Sequence, residues 1–247
     1  MQRKSKKSKK KISKPVKFIL IPIVILAYLA ILVYMFYGDK IISHLVKSQP
    51  VITRQDIVKS KSKTVKPNYD FSKVKSLTDE DILKARMNTD KINYQGYVSV
   101  PSIDVTVPIS LGVDDYNLAL GAGTLYPNQQ MGKGNYVLAS HYIYTDTSLL
   151  FSPLVYKGAV GQKIYLTDLK TVYEYTTTIH HVVKPDDMSD VEDLNPSTPE
   201  VTLITCNVTN QNGRVIQKGV LTNTYDWKDA PKDVKDTMSK QDNRWIK

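Results

Sequence analysis

The sequence predicts a mainly β domain, folded as a closed or nearly closed barrel with short helices, preceded by one membrane-spanning helix. Two observations lead to this prediction. Residues 18–37 carry no charged side chain. From residue 97 onward, seven or eight short runs rich in β-branched and aromatic residues follow within about 125 residues, and turn residues such as Gly, Pro, Asn and Asp separate them. Many short strands at this spacing are typical of barrels.

The apolar segment, residues 18–37, is long enough to cross a bilayer. Twenty helical residues span about 30 Å, the thickness of the hydrocarbon layer. Nine Lys or Arg residues and no acid precede it in residues 1–17, and positive charge favours the cytoplasmic side. No small-x-small cleavage pattern follows it, which disfavours a removed signal peptide. We therefore predict a basic cytoplasmic tail over 1–17, an uncleaved signal-anchor over 18–37, and the rest of the chain outside the cytoplasm.

The net charge of +10 is unevenly distributed along the chain. Residues 38–75 carry nine basic and three acidic residues, whereas residues 76–247 carry 16 basic and 21 acidic residues, a net charge of −5. A nucleic-acid-binding domain concentrates basic residues on its folded part. This distribution therefore excludes nucleic acid as the partner and leaves the membrane as the neighbour of the basic regions.

The remaining segments divide the chain further. Residues 38–75 are rich in Lys, Ser and Val without a sustained period, and we interpret them as an extracytoplasmic tether. The folded domain is assigned to residues 76–225 and a polar C-terminal tail to residues 226–247. A short helix is predicted over roughly Asp79–Met87, because Thr78 suits the N-cap and acidic residues fill the first turn.

The only cysteine of the chain, Cys206, ends the β-branched run Val201–Thr205. A seven-residue loop with an Asn-Gly turn signal leads to a second run that begins at Arg214. If the two strands pair symmetrically about this loop, Cys206 and Arg214 stand opposite each other with Cβ atoms about 5 Å apart. A guanidinium there can stabilise a thiolate, or the oxyanion that forms when the thiolate attacks a carbonyl. From the hairpin alone, a structural cysteine beside a surface arginine explains the pattern equally well.

A nucleophilic cysteine also needs a proton carrier, and the sequence offers four histidines. His44 lies in the tether. His180 and His181 are neighbours in one long strand, where they point to opposite faces. His141 instead follows the end of a strand and begins a loop, a position that displays functional side chains. We therefore favour His141 as the partner of Cys206.

Other roles for a lone cysteine lack their sequence patterns. Zinc sites need several Cys, His or carboxylate ligands at characteristic spacings, thioredoxin-like sites need Cys-x-x-Cys, and phosphate-binding loops need a Gly-rich motif. None of these patterns occurs in the sequence. We therefore predict no metal site and no cofactor.

Several separate motifs resemble the sortase family. Residues Thr202–Cys206 match its TLxTC signature, Arg214 falls where the family has its arginine, and Leu138–His141 (LASH) resemble the segment with its histidine. The stretches Gly96–Ile109 and Leu118–His141 resemble class A, housekeeping-type sortases. The motifs occur in the family's order over about half of the chain.

This resemblance implies an eight-stranded sortase-type barrel on the outer face of a Gram-positive cell membrane. It implies that Cys206 attacks the Thr–Gly bond of an LPxTG sorting signal and forms a thioacyl enzyme, which the amine of a lipid-linked peptidoglycan precursor resolves. It further implies that His141 transfers the protons and that Arg214 stabilises the oxyanion. The family's groove for the Leu-Pro part of the signal maps onto four positions: Ala139, Ile204, Thr205 and Ile216.

Two family variations lack support in the sequence. Some sortases bind Ca²⁺ through acidic residues before the histidine strand, but no Asp or Glu occurs between Tyr116 and His141. Because Ca²⁺ needs oxygen ligands, commonly carboxylates, we predict calcium independence. The Asp-Pro-aromatic lid motif of pilus-type sortases is not present around residues 79–87, which favours the housekeeping role.

Three alternatives stay open at this point. They are a pilus-type sortase, a thiol peptidase in which water resolves the thioester, and a non-catalytic wall-binding module on a membrane stalk. A cell-wall L,D-transpeptidase is disfavoured, because its Ser-His-Gly-Cys context does not occur around Cys206.

Overall fold

The computed structural model describes residues 14–47, 50–63, 66–192, 197–207 and 213–243. Its helices are α1 (Lys14–Lys47), α2 (Arg54–Ser60), α3 (Asp79–Met87), α4 (Asp115–Leu120), α5 (Ser152–Lys157), α6 (Ser189–Glu192) and α7 (Lys232–Asn243). Its strands are β1 (Tyr94–Val100), β2 (Val105–Ser110), β3 (Ala122–Thr124), β4 (Asn135–Ala139), β5 (Lys163–Thr167), β6 (Thr171–Val183), β7 (Glu200–Asn207) and β8 (Gly213–Asp226).

Helix α1 contains the apolar segment that was predicted to cross the membrane. A continuous stretch of 20 residues, Ile19–Gly38, is long and apolar enough to span a bilayer. Its large apolar side chains, such as Leu26 and Phe36, are exposed, as expected of a helix that lipid surrounds. The helix is therefore consistent with a single-pass membrane anchor.

The strands close into a barrel in the order β1-β2-β3-β4-β7-β8-β6-β5. The pairs β2–β3 and β4–β7 are parallel, and the other neighbouring pairs are antiparallel. Closure leaves no unpaired sheet edge, and the alternating inward side chains of a barrel this small fill its interior. Fully buried residues from four strands form part of that core: Val98, Leu166, Tyr175 and Leu203. The predicted fold class is confirmed.

The segment before the barrel differs from the tether expected over residues 38–75. Ile52 and Ile57 are buried, and the backbone N–H of Ile52 donates to the hydroxyl of Tyr97 at 2.8 Å. Helix α2 begins with a capping box in which Thr53 and Asp56 satisfy each other's backbone N–H groups. The helix has only seven residues, too few to give the sequence a recognisable helical period.

A second contact fixes the chain just before α3. The N–H of Val113 donates to the carbonyl oxygen of Asn68 at 2.7 Å, and the N–H of Asn68 donates to Asp114 Oδ2 at 3.0 Å. Gly112 permits this approach, because its φ is +80° and a Cβ atom there would lie 2.6 Å from the Asn68 oxygen. Residue 68 is therefore held against the loop between β2 and α4.

Helix α3 has the bounds that the sequence predicts. Thr78 is its N-cap, and the capping box pairs Thr78 with Asp81. Ile82 and Ala85 are buried on one side of the helix. These contacts attach α3 to the barrel and set the position of its N-terminus.

The C-terminal segment also differs from the polar tail expected over residues 226–247. Helix α7 buries Val234 and Met238, and Ala230 precedes it in the same core cluster. The two apolar residues of the helix are four positions apart and share one face. Two apolar residues in a strongly polar segment do not form a recognisable helical pattern, which is why the sequence predicts a polar tail there.

Candidate active site

The hairpin of β7 and β8 brings the cysteine and the arginine together. Cys206 is paired with Arg214 across the two antiparallel strands, so the register predicted from the symmetric loop is confirmed. Cys206 is exposed and its thiol is free. A strand end that fixes the backbone while leaving the thiol accessible is suited to presenting a nucleophile.

His141 approaches the site from the other side of β7. Strand β4 runs parallel to β7, with Ala139 paired to Ile204 as the last pair of the ladder. Beyond this pair, the N–H of Ser140 donates to the carbonyl oxygen of Ile204 at 3.1 Å, which holds the chain against β7. His141 follows at the start of the loop after β4, the position that the sequence predicts.

An open cavity of about 570 Å³ is lined by His141, Cys206 and Arg214 together. Its remaining walls come from the segment Val74–Asp79, from the loop after β4 and from Pro185. The segment before the barrel thus borders the site, although it lacks the lid motif considered above. The three residues that the sequence singled out meet at one accessible place.

The guanidinium of Arg214 is held by two contacts. Its Nε–H donates to the carbonyl oxygen of Pro185 at 2.9 Å. Its Cζ atom lies 4.3 Å from the centroid of the Phe71 ring, a distance at which a cation is attracted to the ring face. Within the described part of the chain, the two terminal nitrogens have no hydrogen-bond acceptor among protein groups.

His141 is only 8% exposed. Burial lowers the pKa of its imidazole to about 4, because desolvation disfavours the imidazolium, while the carboxylates of Asp115 and Asp81 oppose this shift. His141 is therefore neutral near pH 7. A neutral imidazole is able to accept a proton from a thiol.

A smaller cavity of about 250 Å³ lies on another side of His141, between Thr78, Asp81 and Asp115. Asp81 Oδ2 accepts hydrogen bonds from the N–H of Thr78 at 3.0 Å and from its hydroxyl at 2.6 Å. The Thr78 hydroxyl is the main cause of the lowered pKa of Asp81. The first turn of α3 therefore holds a carboxylate, ionised near pH 7, beside the imidazole.

The other histidines have different surroundings. Nε2 of His180 lies 2.9 Å from the carbonyl oxygen of Leu154, and Nε2 of His181 lies 2.6 Å from Asp190 Oδ2. His44 is an exposed residue of α1. Among the described histidines, His141 is the one that lines the cavity with Cys206.

The four residues expected to form the signal groove are buried in the structure. Ala139, Ile204 and Ile216 belong to one apolar cluster, which the partly buried Phe71 and Val74 cover in part. The hydroxyl of Thr205 donates to the carbonyl oxygen of Ser140 at 3.0 Å. None of the four lines the open cavity, so their part in binding a peptide stays a prediction.

Within residues 14–47, 50–63, 66–192, 197–207 and 213–243, no group of three or more His, Cys, Asp or Glu side chains has an arrangement that would hold a metal ion.

Comparison with known proteins agrees with this geometry. The family model of the sortase domain matches residues 98–222. The chain belongs to the sortase family. Sortases are cysteine transpeptidases, and His141, Cys206 and Arg214 all lie within the matched residues.

Proteins known as sortase A are similar to this chain over more than half of its length. Sortase A of Streptococcus agalactiae serotype III (strain NEM316) is 36% identical over 188 residues, which are 74% of this chain and 75% of that protein. Sortase A of Listeria monocytogenes serovar 1/2a is 39% identical over 151 residues, 61% of this chain and 65% of that protein. The crystal structure of Listeria monocytogenes sortase A superposes with a TM-score of 0.52 at 36% identity and covers 59% of this chain and 96% of that chain.

Three features beside the sortase site were not predicted. Phe71 lies against Arg214, and Asp81 lies beside His141; both precede the matched domain. The carbonyl oxygen of Pro185, in the loop after β6, accepts a hydrogen bond from Arg214. The capping pattern Thr78-x-x-Asp81 indicates where α3 begins. It does not indicate what the helix faces, because that depends on tertiary packing.

Proposed function

We propose that the chain is a membrane-anchored sortase that cleaves LPxTG sorting signals between Thr and Gly and transfers the protein to the amine of a lipid-linked peptidoglycan precursor. The observation that carries this proposal is the meeting of His141, Cys206 and Arg214 at one open cavity, from the loop after β4 and from the strand pair β7 and β8. Cys206 supplies a nucleophile, His141 a proton carrier and Arg214 an oxyanion stabiliser. These are the groups that acyl transfer requires.

In the first half-reaction, Sγ of Cys206 attacks the carbonyl carbon of the signal's Thr while the thiol proton passes to neutral His141. Negative charge develops on the carbonyl oxygen, where the terminal nitrogens of Arg214 would donate hydrogen bonds. The C–N bond to Gly then breaks, and His141 returns its proton to the leaving amine. Because burial lowers the pKa of His141 to about 4, its protonated form is a strong proton donor.

In the second half-reaction, the acceptor amine attacks the thioester carbonyl carbon. His141 removes a proton from the attacking nitrogen, and the C–S bond breaks to release Cys206, which regains a proton. The oxyanion forms again at the same place, so Arg214 serves both steps. A new peptide bond joins the surface protein to the cell-wall precursor.

The location proposed for this reaction is the outer face of the cell membrane. Helix α1 would span the membrane, with the nine basic residues of 1–17 in the cytoplasm because positive charge favours that side. The barrel would then face the compartment in which surface proteins and lipid-linked precursors meet. A membrane anchor also restricts the enzyme to the surface from which the precursor amine is presented.

The test uses the full chain in detergent with an LPxTG peptide, with and without a short glycine-based amine. We expect cleavage after Thr, a joined product when the amine is present, and an added acyl mass on the peptide fragment that contains Cys206. Cys206→Ala should remove all three, and Val182→Ala, at an exposed position of β6, is the control that should change none. Cleavage that survives in Cys206→Ala would refute the proposal.

The same experiment separates transfer from hydrolysis. Exposure of the Cys206 thiol means that water also reaches the thioester. If saturating amine still yields only a product with a free Thr carboxylate, the enzyme is a thiol peptidase. A joined product as the main species supports the transpeptidase.

A further inference from the structure

Phe71 contacts the candidate site from outside the residues that the sortase family model matches. It belongs to the short turn Phe71–Lys73 between α2 and α3, whereas the sortase family match begins at residue 98. The centroid of its ring lies 4.3 Å from Cζ of Arg214. The arginine therefore depends for part of its surroundings on a segment that the family domain does not contain.

The two contacts of Arg214 act on different parts of the guanidinium. The bond from Nε to the carbonyl oxygen of Pro185 fixes one edge of the group but leaves the plane free to turn about that bond. The ring of Phe71 supplies a flat face, and a guanidinium stacks on such a face. Together they leave the two terminal nitrogens for the cavity that Arg214 shares with Cys206.

The backbone around Phe71 is itself attached on both sides. Before it, Asn68 is hydrogen-bonded to Val113 and Asp114. After it, Val74 packs against the cluster that contains Ile216. The ring therefore has a defined position and does not rely on Arg214 to hold it.

We propose that Phe71 is a positioning residue for Arg214: its ring holds the guanidinium plane so that the terminal nitrogens point to the oxyanion that forms at Cys206. This inference rests on the proposed function, which assigns the oxyanion to Arg214. The cavity of about 570 Å³ beside the exposed Cys206 stays open with Phe71 in place. The observed arrangement thus favours support of the arginine over obstruction of the site.

The test compares Phe71→Leu and Phe71→Tyr in the full chain, with an LPxTG peptide and a saturating amine. Leucine keeps an apolar side chain but removes the ring face, whereas tyrosine keeps the face. We expect Phe71→Leu to lower kcat about three- to tenfold, equivalent to about 0.6 to 1.4 kcal/mol, with KM within about twofold. Phe71→Tyr should retain kcat within about twofold.

A matched control replaces another partly buried aromatic residue. Trp227 follows the far end of β8, whereas Arg214 is near its beginning, and it packs against the main core cluster. Trp227→Leu should lower the melting temperature without lowering kcat at a temperature where the variant is folded. Phe71→Leu should instead lower kcat at a temperature where the variant is folded, whatever its melting temperature.

Two kinetic outcomes would overturn the proposal. Unchanged kcat in Phe71→Leu would mean that apolar volume alone matters. A lower KM with unchanged or higher kcat would mean that Phe71 obstructs peptide binding. The nuclear magnetic resonance signal of the Arg214 Nε–H group gives a readout without turnover, and we expect it to shift and broaden in Phe71→Leu but not in Phe71→Tyr.

This signal also separates the two levels of inference. A wild-type chain that cleaves no LPxTG peptide would refute the proposed function. The Nε–H signal then decides the role of Phe71 independently. A signal that is the same in wild type and Phe71→Leu refutes positioning, and a signal that broadens only when the ring is lost supports it.

Discussion

His141 has a buried side chain, although the proposed reaction requires it to gain and lose a proton. Solvent-exposed imidazole would be protonated in a sizeable fraction of molecules near neutral pH. Burial removes that fraction by lowering the pKa to about 4, and the carboxylates of Asp81 and Asp115 limit the shift. The residue is therefore kept in the form that accepts the thiol proton.

The same burial makes folding stability depend on pH. Between pH 6.5 and about 4, the unfolded chain binds a proton at His141 that the folded chain does not bind. Above pH 6.5 His141 is neutral in both states and does not reduce the free energy of unfolding. That free energy decreases as the pH falls from 6.5 towards 4. We expect a loss of about 2 to 3 kcal/mol between pH 7 and pH 4.5 from this group.

Urea unfolding of wild type and His141→Asn at both pH values measures the difference. Other groups of the protein also titrate on acidification, so the variant supplies the background. Wild type should lose more stability than the variant on acidification. Parallel losses in the two proteins would contradict the buried neutral imidazole.

Residue-scale prediction succeeded where strand geometry alone determines the neighbour. Cys206 and Arg214 face each other because an antiparallel hairpin pairs residues at equal distances from its loop. Phe71 was not predicted, because no local pattern connects a turn residue to a strand residue that is distant in the sequence. Its placement follows from how the segment before the barrel packs, which depends on the complete fold.

At the scale of elements, α3 is both a structural support and part of the site. Its buried residues Ile82 and Ala85 attach it to the barrel, and its N-terminal residues Thr78 and Asp81 line the small cavity beside His141. Fraying of the first turn would therefore move a wall of the site. The capping box that starts the helix is thus linked to the surroundings of the imidazole.

Two equivalent capping boxes allow this link to be tested. Thr78 caps α3 beside His141, and Thr53 caps α2, away from the cavity. Replacing either threonine by alanine should cost about 1 kcal/mol in unfolding free energy. Only Thr78→Ala should also lower kcat/KM, by about two- to fivefold, because it loosens the groups beside His141. Equal kcat/KM in the two variants would show that the α3 cap has a structural role alone.

At the scale of the whole molecule, the part that the family model matches is smaller than the unit that packs together. The sortase match begins at residue 98, but Ile52, Ile57 and Ile82 are buried before it. Removing large buried aliphatic groups costs about 2 to 5 kcal/mol each, which is comparable to a domain's total stability of about 5 to 15 kcal/mol. We therefore expect the segment before the family domain to be needed for a stable fold.

Two truncated chains test this conclusion. A chain that begins at residue 50 lacks α1 but keeps α2 and α3, and we expect it to be folded without detergent, with a cooperative thermal transition. A chain that begins at residue 93 should lose that transition or melt at a much lower temperature. Circular dichroism on heating measures both. A shorter chain as stable as the longer one would show that the segment contributes little.

Sequence patterns predicted the barrel from the repeated short β-branched runs, and the apolar helix from the uncharged stretch of residues 18–37. They did not predict the packing of α2 and α7. In each helix the apolar contacts are one or two residues, such as Ile57 and Val234, within a strongly polar stretch. So few apolar positions do not establish a periodic pattern, and the interaction is visible only in three dimensions.

The pairing of Cys206 with Arg214 has a consequence for protein engineering. The ladder between β7 and β8 sets the spacing of these two side chains, whereas His141 opens the loop after β4 and Pro185 holds Arg214 from the loop after β6. Exchange of loops to accept new peptide sequences should therefore preserve His141 and Pro185 at their positions. The strand pair offers a fixed core around which the other recognition segments can be varied.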